Sequence, residues 1–206
     1  MKALQQENST LIEMLMEKLK DYLSDDSGLD GFDLGPDPDF MIKALPTEII
    51  DNLHKIAKLM VSAGFKSEFS DVYSSSRREC LVESLSRLGF KKLNINENED
   101  CQMLAPEVME DESERWIKVS NVAYKILLPT ERKPCDRVFF GFSSSADLSF
   151  MDVCGESIDD LVDFSDYLNP SQEEWRRATN IFKTMFDLVP ESMSGDQSFV
   201  VKNEFA

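Results

Sequence analysis

The chain has 206 residues, 42% hydrophobic and 30% charged, which suits a buried core and is too apolar for a wholly disordered chain. Its 39 acidic and 22 basic side chains leave a net charge of -17, which repels phosphate backbones and excludes nucleic acid as a partner. No apolar run approaches the roughly 20 residues that span a bilayer. MKALQQENST shows neither a secretory apolar core nor an Arg-rich transit pattern, so the chain reads as cytoplasmic.

The predicted elements are helical from the start. Thr10 and Glu13 form a capping box ahead of Leu11, Leu15, Leu19, Tyr22 and Leu23, which recur at three-to-four spacing. This gives an N-terminal helix over 1–24, detached from the rest. Residues 25–39, DDSGLDGFDLGPDPD, hold too much Gly, Pro and Asp for regular structure and read as an acidic flexible linker. The compact part, residues 40–190, then opens at LPTE with Pro46 or Thr47 starting a helix. Its predicted inner face is Ile49, Leu53, Ile56 and Met60, widened by Ile50 and Ala57. Gly64 ends it in a left-handed cap.

Ser67 is placed to cap the next helix, which carries Phe69, Val72, Tyr73, Cys80, Leu81, Leu85 and Leu88 inward and ends at Gly89. Two helices joined by so few residues pack antiparallel. Residues 91–105 are acidic and irregular. A long helix begins at Pro106, with acidic first turns suited to the helix dipole. It turns Trp116, Val119, Ala123 and Ile126 inward, and Pro129 stops it. Short helices are expected at about 145–154 and 157–168. A last helix is capped by Ser171 and Glu174 and turns Trp175, Ala178, Phe182, Met185 and Val189 inward. Residues 191–206 form a loose tail. With no alternating strand pattern, the fold class is all-α: seven or eight stacked antiparallel helices.

Catalytic chemistry finds little purchase. Cys80, Cys101, Cys135 and Cys154 lie at least 19 residues apart, so no zinc pair exists, and reduced core thiols are expected. The one histidine, His54, borders the apolar stripe and reads as a boundary residue. GFSSS at 141–145 lacks the closing glycine of a nucleophile elbow, and GFKS at 64–67 lacks the first glycine of a phosphate loop. A calcium loop over 26–37 puts Gly28 where a ligand oxygen belongs, and Pro36 and Pro38 where the exit helix belongs. Catalytic, cofactor and metal residues are therefore assigned to none. Residues 41–95 are the one basic stretch, with 9 basic and 6 acidic side chains. Arg77, Arg78, Lys91 and Lys92 in it are the candidate partner contacts, though for Arg77 and Arg78 pairing with Glu79, Glu83 or another helix competes with that role. VFFGF at 138–142 is expected in the core.

Residues 45–93 resemble the plant branch of the seventy-kilodalton exocyst subunit family. The resemblance rests on LHKIAKLM at 53–60, DVY at 71–73, RRECL at 77–81 and SLSRLG at 84–89. The block at 116–154 is similar to the family's next helices, most specifically in CDRVFFGF at 135–142. The resemblance covers about residues 40–205.

It implies the first bundle or bundles of an elongated helical rod. It further implies a non-enzymatic subunit that tethers secretory vesicles to the plasma membrane during exocytosis through protein contacts. The expected partners are other exocyst subunits or small regulatory proteins, through which the chain reaches the membrane periphery. The family's phosphoinositide-binding basic surface lies beyond the matched region, so direct lipid binding is not expected and the chain reads as a shortened form. Pro134 departs from the family pattern inside a helix, which moves the expected start of that helix to about Cys135. A free-standing adaptor or decoy outside the complex is the alternative, and a calcium-responsive acidic protein a further one.

Overall fold

The computed structural model describes residues 46–90, 106–142 and 145–168, with several residues between 9 and 19. The acidic linker, the stretch 91–105, the helix predicted after Ser171 and the tail lie outside the described residues. Among the described residues every regular element is helical and none is a strand. The order is α1 (Thr47–Ser62), α2 (Lys66–Arg87), α3 (Pro106–Val122), a π-helical turn (Ala123–Leu127), α4 (Leu128–Val138) and α5 (Ser145–Leu168).

Helix ends follow local chemistry. Pro46 closes the start of α1 with its carbonyl, which accepts from the Ile49 and Ile50 amides. At the other end Gly64 sits at φ +87, and the Phe65 amide reaches back to the Met60 carbonyl at 2.8 Å. Gly89 repeats the device after α2, with φ +94 and Phe90 N–H on the Leu85 carbonyl. Both are six-to-one closures that only a residue tolerant of positive φ completes cheaply. Ser67 does not cap α2: the helix starts one residue earlier, and its hydroxyl contacts Glu68 at 3.4 Å.

The chain does not stop at Pro129. Leu128 N–H bonds the Ala123 carbonyl, five residues back, so the helix widens by one residue just before the proline. That widening relieves the clash a proline ring makes with the carbonyl four residues upstream. Pro134 likewise lies inside α4, buried, so that helix begins at Leu128 and not near Cys135. The two short helices expected at 145–168 are one, α5, continuous through Gly155. Glycine weakens a helix interior by only about 1 kcal/mol. The burial of Phe150, Val153, Cys154, Ile158 and Leu161 along one stripe spans that position.

α5 packs against α2, α3 and α4, and α1 closes the assembly against α4 and α2. Trp116 ties α3 to α5 by donating its indole N–H to the Leu161 carbonyl at 2.9 Å. Leu19 belongs to the same core and Met16 packs against it, so the described part of the expected N-terminal helix is docked and not detached. α1 is rotated from its expected face. Ile50 and Ala57 are buried, while Ile49, Leu53 and Met60 are half-buried and Ile56 is exposed. An edge helix touched from one side buries a narrower arc than its apolar residues cover.

Candidate partner-contact surface

Two charges sit on apolar stripes. Arg77 lies one turn from both Tyr73 and Leu81 on α2, and Glu131 one turn from both Leu127 and Cys135. Helical geometry therefore drives both inward, and neither survives there alone, because an unpaired buried charge is very costly. They meet as a two-point pair. Arg77 Nε donates to Glu131 Oε2 at 2.8 Å, and a second guanidinium nitrogen contacts Oε1. Their side chains are only 3% and 7% exposed. Burial works against the guanidinium's charge, and the Glu131 carboxylate more than restores it, leaving the Arg77 pKa above its ordinary value.

A phenol and two thiols are buried around this pair. Tyr73 Oη lies 3.7 Å from Cys135 Sγ, and burial first, then the thiol, raises the phenol pKa well above its usual value. Burial and the Glu131 charge push the Cys135 thiol up to about 12. Cys154 is raised well above its ordinary value by the same two causes in the same order. These thiols are inert packing groups, as the sequence expects of them.

The other nominated residues fall in different places. Arg78 is turned across to α5, where Nε donates to the Asp152 carbonyl at 2.8 Å. Lys91 and Lys92 lie outside the described residues, as does the calcium loop over 26–37. Among the described residues no group of three or more His, Cys, Asp or Glu is placed to hold a metal. Ser145 of GFSSS is buried with its hydroxyl unpartnered among the described residues, so it caps nothing through that oxygen. Lys66 and Ser67 of GFKS form the first turn of α2.

VFFGF divides at a turn. Val138 and Phe139 are buried, and Phe139 packs edge-on against Tyr73 at 5.3 Å between ring centroids. Phe140 is 74% exposed, correcting the expectation that all three phenylalanines enter the core. Gly141, at φ +86, makes the turn that brings Phe142 back. His54 fixes this corner. Its Nδ1–H donates to the Val138 carbonyl at 2.9 Å, since a carbonyl can only accept. The imidazole also faces the Phe140 and Phe142 rings at centroid separations of 6.5 and 6.4 Å. Next to it Arg137 pairs with Asp51 of α1 at 3.0 Å. The sequence signal for this corner was the Phe-Gly step itself: a glycine required at positive φ leaves one flanking aromatic outside. No described helix is long and apolar enough to cross a membrane.

Comparison with known proteins places these elements. Residues 114–205 match the family described as the C-terminal part of the Exo70 exocyst complex subunit. The chain is 49% identical over 174 residues to exocyst complex component EXO70B1 of Arabidopsis thaliana, covering 82% of this chain and 27% of that protein. To EXO70B2 of the same plant it is 39% identical over 156 residues, 73% of this chain and 26% of the relative. To EXO70A1 it is 35% identical over 128 residues, 62% and 20% respectively. The chain thus spans about a quarter of the length of these relatives.

Proposed function

The chain is a partial member of the Exo70 exocyst-subunit family, and from that premise we propose that it acts as a non-catalytic contact module in exocyst-type vesicle tethering. It offers a rigid helical surface to other subunits or to small regulatory proteins and reaches the plasma membrane through them. The observation that carries this reading is the 49% identity to an exocyst component across 82% of the chain. The structure supports it in one respect: charged groups that lie inside are committed to internal pairs. Arg77 is held by Glu131, leaving protein contact to side chains on the outer faces of the helices.

The test is co-purification. The tagged full chain, expressed in plant cells, is recovered and its associated proteins are identified by mass spectrometry. Recovery of several exocyst subunits above a tag-only control is expected. Recovery of none removes the assembly reading.

A further inference from the structure

We infer that the α1–α4 edge around Phe140 is a docking surface for a carboxylate-rich, aromatic-bearing peptide segment of a partner protein; this deepens the contact-module reading and rests on it. Phe140 is the most exposed large apolar side chain among the described residues, at 74%. It is also held in place. The Gly141 turn, the His54–Val138 hydrogen bond and the His54 ring fix the backbone and one side of the phenyl group. An anchored aromatic that projects from a turn loses little freedom on being covered.

Charge selects the occupant. On α4 Lys133 and Arg137 fall at i and i+4 and share a face, and Phe140 projects from the turn two residues past the helix end. On α1 Lys58 stands one turn beyond His54, and Lys55 one turn beyond Asp51. The carboxylates of this edge are already engaged, Asp51 by Arg137 and Asp136 by Arg132. Lys55, Lys58 and Lys133 are exposed and make no ion pair among the described residues. Even with Glu48 on the first turn of α1, the edge keeps a positive surplus on a chain of net charge -17. A flat anionic bilayer would feel that whole negative field. A narrow peptide meets only the three lysines and the ring. The geometry therefore favours the peptide over the lipid surface.

The probe is a fluorescein-labelled peptide of repeated Glu-Glu-Phe, with a Gln-Gln-Phe counterpart, titrated with the full chain by fluorescence anisotropy. The acidic peptide is expected to bind, more weakly as salt rises, and the amide peptide not to bind. Phe140→Ala is expected to weaken binding about tenfold. A Lys58→Gln/Lys133→Gln variant should weaken it and flatten the salt dependence. Both changes lie at exposed positions, and an unchanged circular-dichroism spectrum confirms the fold. No binding of the acidic peptide, or equal binding by all three proteins, overturns the proposal. So does Phe140-dependent capture of phosphatidylserine vesicles without peptide binding. The co-purification separates the two readings. Subunits recovered equally with wild type and Phe140→Ala overturn the docking edge alone, whereas a wild type that recovers none overturns the contact-module reading.

Discussion

Replacing Glu131 by leucine tests the buried node most directly. The substitution keeps volume and removes the carboxylate, leaving the Arg77 guanidinium inside a core where its side chain is 3% exposed. Breaking one half of such a pair costs about 3–5 kcal/mol, because the remaining charge keeps its desolvation penalty and loses its partner. A small domain has roughly 5–15 kcal/mol in total, so this one change removes a large share. Arg77→Met/Glu131→Leu removes both charges together and should return to within about 1–2 kcal/mol of wild type. Urea unfolding followed by far-ultraviolet circular dichroism reads this directly. With a slope of about 1–3 kcal/mol per molar, the single variant's midpoint falls by roughly 2 M and the double variant's nearly recovers. The built-in control is Arg87–Glu83, a pair with side chains 41% and 50% exposed. Glu83→Ala should cost less than about 0.5 kcal/mol. If Glu131→Leu costs no more than Glu83→Ala, or the double variant loses as much as the single one, the pair is solvated and the reasoning fails.

Three further outcomes are expected. Gly64→Ala meets no atom within 4 Å of its new methyl group, so any loss comes from the positive φ alone, about 1–2 kcal/mol in the same urea assay. Brief iodoacetamide treatment at mildly alkaline pH, read by peptide mass spectrometry, should leave Cys135 and Cys154 unlabelled in the native chain and label both once it is unfolded. Their burial keeps them as thiols far above the pH used. Asp159→Asn tests a carboxyl whose pKa is raised by burial and by Asp163, Asp160 and Glu156. The folded state there holds its proton more tightly than the unfolded one. Stability from this group is therefore full below the unfolded pKa and lost as pH rises through the folded value. Thermal melts should show the asparagine variant gaining at neutral pH, by at most about 0.5 kcal/mol for a group this exposed, and gaining nothing in acid.

How far the sequence carries depends on which residue decides each feature. The glycine caps were legible because Gly64 and Gly89 sit immediately beyond apolar stripes, and no other residue type satisfies that backbone cheaply. The stop expected at Pro129 was not borne out, because proline rules describe a regular helix. A π-turn supplies one extra residue of slack, and nothing in AYKIL announces it. The break expected near Gly155 failed for a related reason: five buried residues on one stripe outweigh one weak helix former. Arg77 was nominated for the surface because it adjoins Arg78 in a basic stretch. Its position between Tyr73 and Leu81 was the stronger clue. Periodicity places a side chain before charge chooses its partner, and Glu131 carries the same clue on α4. What periodicity cannot supply is that the two would be opposite each other, since that depends on the register of α4 against α2.

That register connects the buried pair to the surface edge. Apolar side chains tolerate small slides past one another, whereas two N–O contacts between planar groups hold only at one offset. On this reading the Arg77–Glu131 pair contributes less to net stability than to fixing α4 along α2. Phe140 lies two residues beyond the end of α4, and α1 grips the same corner through His54–Val138 and Asp51–Arg137. The edge is thus defined from both sides, by a buried offset on α2 and by polar contacts from α1. A variant with an apolar pair in place of Arg77 and Glu131 should nearly regain the wild-type unfolding midpoint while broadening the range of positions Phe140 occupies. The acidic peptide would then bind it more weakly, even though neither substituted residue touches the surface.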